Sequence, residues 1–317
     1  MIPANFDYVR AKSLRDALNS IGSEDTKVLA GGHSLIPMMR FRLAQPGKLI
    51  DIGHLAELKG IEAKGKGARI GAGCTYRELL DSPILAERFP LIAEATRIIG
   101  DVQVRNRGTV GGSLAHADPA SDMPAVMLAL DATFNLRSKT AKRSVAAKDF
   151  FKGSFSTAIA ADELMIDITL PAPPKKAGMA YVSFEQKASG YAIAAAAAIV
   201  TRSRKTITGI TLAITGVGEL AYLADVSGAV GGHGDDAARF GERRQAVPVA
   251  LLPQYLGHEL FDPVARAELG HPRRRRRRDR SASHRTGTHR RIWDRAGRQA
   301  PSGCRRFPRS CAPPRAS

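Results

Sequence analysis

Two glycine steps, set well apart in the chain, carry the clearest chemical promise. The first is Ala30-Gly31-Gly32-His33-Ser34, followed by Leu35. The second is Thr109-Val110-Gly111-Gly112-Ser113, which runs on through Leu114-Ala115-His116-Ala117-Asp118-Pro119-Ala120-Ser121-Asp122. Without a Cβ the backbone can approach a bulky anion and turn its N–H groups toward it. A single Gly-Gly step marks a tight turn more often than a site. Here each step follows an apolar run and each ends in Ser, a pairing that predicts two walls of one pyrophosphate-sized cleft and a dinucleotide ligand. Neither step reads Gly-x-Gly-x-x-Gly, which argues against a Rossmann fold.

The elements around the first step read as β-α-β. Ser13 is a plausible N-cap for a helix through Leu14 and Leu18, with Asp16 at its third position. Lys27-Val28-Leu29-Ala30 is a short buried strand leading into the glycines, and Ser34 can cap a short helix through Met38 and Met39. Leu49-Ile50-Asp51-Ile52 is the next strand. This order sets backbone N–H groups at a helix N-terminus, where the dipole favours phosphate.

Around the second step, Arg69 to Gly73 is a strand and Thr75 caps a helix through Tyr76, Leu79 and Leu80. Phe89 to Ile99 is a stronger helix with Leu91, Ile92, Ala95, Ile98 and Ile99 on one face and Gly100 at its end. A loop carrying the second glycines and a helix from about Met123 to Leu130 follow. Leu164 to Leu170 alternates as a strand and stops at Pro171. Beyond it, Ala180 to Gln186, Ala192 to Thr201 and Ile207 to Thr215 read as strands.

These segments resemble the FAD-binding medium subunits of the aerobic carbon monoxide dehydrogenase family, the flavoproteins of the molybdenum hydroxylases, which include xanthine dehydrogenase. The likeness begins at Ile2-Pro3-Ala4-Asn5-Phe6-Asp7-Tyr8 and runs through Leu29 to Met39, Leu43-Ala44-Gln45-Pro46, Val102 to Gly112 and Asp118 to Ala125. It stops near Gly216-Val217-Gly218. The resemblance implies an α+β fold with a vanillyl-alcohol-oxidase (PCMH)-type FAD-binding domain over residues 1–173, in two α/β subdomains of about 1–56 and 57–173. A small α/β C-terminal domain over 174–270 would follow, divergent after about 218.

The resemblance also implies roles. Ala30, Gly31, Gly32, His33, Ser34 and Leu35 form one wall of the FAD site, and Thr109, Val110, Gly111, Gly112 and Ser113 the other. Thr109 approaches the flavin ring and Ser113 the diphosphate. Asp122 accepts hydrogen bonds from adenosine ribose hydroxyls, a task suited to a carboxylate that serves two neighbouring hydroxyls. Leu164 or Met165 gives an apolar or backbone contact, while Lys187 faces FAD and Tyr191 covers the ring. Related oxidases attach flavin to histidine, but the loop histidine of this family is not a covalent link, so His33 packs or hydrogen-bonds beside the diphosphate. Ser34 caps its helix, binds phosphate, or does both. Ser189-Gly190 stands where the family commonly has Gly-Asp, a departure at the ring contact. His116, Asp118 and Asp122 also make a weak metal pattern.

By the same resemblance FAD is non-covalent, and the molybdenum cofactor and [2Fe–2S] clusters lie on a large and a small partner subunit. The complex is a dimer of heterotrimers whose electrons leave to a quinone or NAD. No catalytic acid, base or nucleophile is then required of this chain, and no metal. A self-sufficient flavin oxidase is the rival reading, disfavoured by the short third block.

Composition agrees. The three cysteines, Cys74, Cys304 and Cys311, include no Cys-x-x-Cys and make neither a disulfide framework nor a cluster site. The N-terminus lacks a basic and apolar leader, and the longest apolar stretch, Tyr191 to Val200, is too short to span a bilayer. A cytoplasmic protein is expected, with peripheral membrane association left to the complex. The net charge of +18 is concentrated in residues 271–317, where sixteen Arg meet two Asp, a net of +14 that leaves +4 for the rest. Lysine ends at Lys205. This tail reads as disordered, and its arginine, proline and serine content suits a GC-rich gene read out of frame. A nucleic-acid arm is the alternative, but Trp293 and Phe307 are its only aromatics, so no nucleic-acid partner is expected. Resequencing the locus separates the two.

Overall fold

The computed structural model describes residues 2–204 and 206–226, all within one compact unit. The expectations for the arginine-rich tail, and for most of the divergent segment before it, lie outside the described residues.

The first layer is a three-stranded parallel sheet in the order β1-β3-β2, made by β1 (Asp7–Arg10), β2 (Thr26–Leu29) and β3 (Lys48–Asp51). Parallel strands need crossovers, supplied by α1 (Leu14–Ser20) and α2 (Leu35–Arg40). Ser13 caps α1 as expected, its hydroxyl accepting from the Asp16 N–H. Leu14, Ala17 and Leu18 press that helix onto Ile50 and Ile52.

The second layer is a five-stranded antiparallel sheet, β4-β5-β10-β6-β7. Its members are β4 (Ile61–Lys64), β5 (Gly67–Gly71), β6 (Thr133–Arg137), β7 (Lys142–Ala146) and β10 (Leu164–Leu170). Six helices separate β5 from β6: α3 (Tyr76–Asp81), α4 (Pro83–Arg88), α5 (Pro90–Ile98), α6 (Val102–Arg107), α7 (Val110–His116) and α8 (Asp122–Ala129). Thr75 and Glu78 form a reciprocal capping box at α3. Gly100, at φ +53°, ends α5 where the sequence placed the stop. A short helix α9 (Ala147–Phe150) and the pair β8 (Phe151–Gly153) and β9 (Ser156–Thr157) complete the layer.

The third layer is an antiparallel sheet of β11 (Ala177–Glu185), β12 (Ala192–Ser203), β13 (Thr206–Thr215) and β14 (Tyr222–Leu223). Every residue of α8 is buried, because it is wedged against β12 and β13 on one side and α5 and α7 on the other. The alanine run of β12 has high helix propensity. It is a strand here because β11 and β13 pair it along its length.

Two local expectations are corrected. The second glycine step is not a loop: Gly111, Gly112 and Ser113 lie inside α7, started by Thr109, whose Oγ1 accepts from Gly112 N–H. Ser34 makes no side-chain cap. Its backbone is already helical, at φ −101° and ψ −52°, whereas a capping side chain needs an extended backbone to reach back over the first turn.

Candidate functional site

The two glycine steps meet. A methyl group on Gly31 would collide with the carbonyl oxygen of Arg107 and lie 2.9 Å from Gly108 Cα, so only glycine permits this approach. Gly32 is required for another reason: its φ of +81° is a left-handed conformation. In α7, a Cβ on Gly111 would sit 2.5 Å from the Ala72 methyl, and Gly111 N–H donates to Ala72 O at 2.9 Å. Gly112 faces Ala30, the Cβ positions being 4.0 Å apart.

The donors of the two steps differ. Among the described residues, the backbone N–H groups of Gly31, Gly32, His33 and Ser34 reach no acceptor. Those of Val110 to Ser113 are all satisfied internally, so the second step gives close approach rather than free donors. The free N–H row opens on a cavity of about 490 Å³ lined by Gly31, Gly32, His33, Ile36, Pro37, Arg40, Phe41 and Arg107. Neither Arg40 nor Arg107 has an ion-pair partner among the described residues. Free N–H groups flanked by two cations make an anion site.

A polar strip extends from there. Ser113 Oγ and Ser121 Oγ lie 2.9 Å apart, and near Ser113 is the hydroxyl of buried Tyr76, whose acidity burial suppresses. Asp122 is buried, and burial pushes its carboxyl up to about 6 despite the hydrogen bond donated by Tyr181. That bond, Tyr181 Oη to Asp122 Oδ1 at 2.6 Å, joins the second layer to the third. Thr215 Oγ1 makes a second link, its one proton shared between the carbonyls of Pro119 and Ser121, each 3.0 Å away. Ser183 Oγ is buried with no partner. Alternation along β11 puts it on the same face as Tyr181.

The remaining expected residues scatter more widely. Leu164 and Met165 are buried in two different cores, so their backbone, not their side chains, is what a ligand can meet. Tyr191 is half exposed and close to Asp118, which together with burial raises its phenol. Lys187 is exposed in the β11–β12 turn, which Gln186 organises by accepting from Ala188 and Ser189 N–H. No contact joins it to the glycine steps among the described residues. His33 is exposed.

The three residues of the weak metal pattern point to other partners: the His116 ring meets Phe155 at a tilt, centroids 5.1 Å apart, Asp118 turns to Ala120 N–H, and Asp122 to Tyr181. No group of metal-binding side chains occurs among the described residues. Sequence reading missed Arg107, Tyr76, Ser121, Tyr181 and Thr215. Only Arg107 carried a local signal, its place four residues before Gly111.

The donor set suits FAD. Unpaired N–H groups and two arginines match a diphosphate, and a buried carboxylate with an unpartnered hydroxyl matches a polyol.

Comparison with known proteins agrees. Residues 4–173 match the family described as the FAD binding domain in molybdopterin dehydrogenase. The carbon monoxide dehydrogenase medium chain of Hydrogenophaga pseudoflava is 42% identical over 223 residues, 70% of this chain and 78% of the relative. The glyceraldehyde dehydrogenase medium chain of Sulfolobus acidocaldarius is also 42% identical, over 71% of this chain and 80% of that one. The solved carbon monoxide dehydrogenase of Hydrogenophaga pseudoflava superposes with a TM-score of 0.72 at 37% identity, covering 81% of this chain and 96% of its own. Quinoline 2-oxidoreductase from Pseudomonas putida 86 gives 0.76 at 28%, covering 82% and 98%. No helix among the described residues is long and apolar enough to cross a membrane. The chain belongs to the molybdopterin dehydrogenase FAD-binding family and is an FAD-binding medium subunit of the carbon monoxide dehydrogenase-like molybdenum hydroxylases, which are oxidoreductases.

Proposed function

We propose that this subunit relays electrons from the [2Fe–2S] clusters of a small partner, through FAD, to an external acceptor, a quinone or NAD. A large molybdenum-cofactor subunit oxidises the substrate, and the complex assembles as a dimer of heterotrimers. The supporting observation is the row of unpaired N–H groups at Gly31 to Ser34, set against Arg107 and beside Arg40. When bound, FAD supplies electron acceptance in single steps and release singly or in pairs, which no side chain of the chain offers.

The residues bind and orient. Gly31, Gly32, His33 and Ser34 donate to the diphosphate, flanked by Ala30 and Leu35. Gly111 and Gly112, held by Thr109 and Val110, bring the second wall within contact. Thr109 has its oxygen occupied as a cap and keeps its proton for donation toward the ring. Ser113 and Asp122 serve the diphosphate and ribose ends. Tyr191 shields the ring from water, and Lys187 lends a positive charge to its edge. The first two layers, residues 1–173, act as the cofactor domain and the third, from 174, as its cover.

Purified chain titrated with FAD is expected to take up one equivalent, releasable on denaturation. It should turn over no substrate alone, yet bleach the flavin band when mixed with substrate and both partner subunits. Steady oxidation of an alcohol or amine by the isolated chain would overturn this reading in favour of a self-sufficient oxidase.

A further inference from the structure

Asp122 starts α8 and Tyr181 lies in β11, outside the matched FAD domain at residues 4–173. The two are held together by a 2.6 Å hydrogen bond. Tyr181 is itself fixed, because its backbone N–H donates to the Glu94 carboxylate of α5 at 3.1 Å. We propose that Tyr181 is a positioning residue for the flavin nucleotide: its hydroxyl orients the Asp122 carboxylate and holds it ionised to accept from a vicinal diol. This deepens the flavin reading and rests on it.

The chemistry follows from acceptor capacity. An ionised carboxylate has about four acceptor directions, and Tyr181 occupies one. A protonated one becomes a donor and loses the paired acceptance that a diol needs. Protonation is a real alternative at this site. Asp122 is buried, and the negative charge of Glu185, further along β11, also disfavours its ionised form. Tyr76 of α3 also feels the Asp122 charge. Against burial and Glu185, the donated Tyr181 proton favours the charged form. The unpartnered Ser183 hydroxyl, on the same face of β11, offers the ligand a further polar contact.

The test uses the full chain, its Tyr181→Phe variant and its Asp122→Asn variant, with FAD affinity read by flavin fluorescence from pH 5 to 8. Wild-type affinity is expected to fall at least tenfold as pH drops through about 6, where Asp122 protonates. In Tyr181→Phe the same fall should shift upward by about one pH unit, the effect of losing a hydrogen bond to a charged group. Asp122→Asn should bind weakly with no fall in this window. A Tyr181→Phe midpoint equal to wild type overturns the inference while leaving the flavin site intact. Wild type that binds no FAD at any pH overturns the flavin reading itself, and this inference with it. If Tyr181→Phe loses its fold by circular dichroism, 3-fluorotyrosine at position 181 keeps the packing and strengthens the donor. The midpoint must then move down, and an unmoved midpoint counts against the inference.

Discussion

Gly31 lies directly against the backbone of Arg107, so that a residue after β2 and one at the end of α6 share a contact too close for any Cβ. Gly31→Ala must push the two walls apart. Overpacking of this kind costs about 1–3 kcal/mol. Thermal melting should register that loss, and FAD titration should show affinity down by at least tenfold because the N–H row moves with the wall.

The buried Asp122 gives the FAD-free protein a defined pH dependence. Its folded value of about 6 stands above the 3.8 of a free aspartate side chain. Between those values the native state binds more protons than the unfolded one, so stability falls as pH rises through this window and is level above it. The size is about 3 kcal/mol by linkage. Urea unfolding of apoprotein at pH 4, 5, 6 and 7 should show this slope in wild type and lose it in Asp122→Asn.

Thr215→Val removes the hydroxyl whose one proton is shared between the carbonyls of Pro119 and Ser121, with little change in shape. The expected cost is about 1–2 kcal/mol. Hydrogen exchange should quicken over residues 117–121, where Gly216 N–H also holds Pro119 O, and FAD should dissociate faster. Unchanged exchange in that segment would show that the third sheet does not restrain it.

Ser13→Ala serves as the contrast. It deletes the cap of α1, whose hydroxyl accepts from Asp16 N–H, for about 1 kcal/mol. That helix packs on the core of the first layer, whose buried residues do not line the cavity beside the first glycine step. Thermal midpoint should drop while FAD affinity stays as it was.

What was legible in the sequence was local. The caps at Ser13 and Thr75, the stop at Gly100 and the alternating strand β10 each depend on a few neighbouring residues, and each stands where expected. The first glycine wall was legible for the same reason. The nature of the second was not. Gly111-Gly112 looks like a turn until Ala72, far back in the chain, is seen to need the space and to take the Gly111 N–H. Helix α7 carries two glycines, and the short α6 carries two valines and an asparagine, so propensity hid them. Tyr181 and Thr215 act across layers on partners far away in sequence, a relation that no periodicity encodes.

Strand β10 supplies Leu164 to the core beneath the first sheet and Met165 to the core of the second. Ile166 packs against the first of these as well. A chain leaving the ribosome has made β1, β2 and β3 long before β10 emerges. The core of the N-terminal sheet therefore lacks Leu164 and Ile166 until residues near 170 are free of the exit tunnel. Nascent-chain pausing before that point should yield a protease-sensitive product, and pausing beyond it a resistant one, so that the earliest-made lobe is among the last to close.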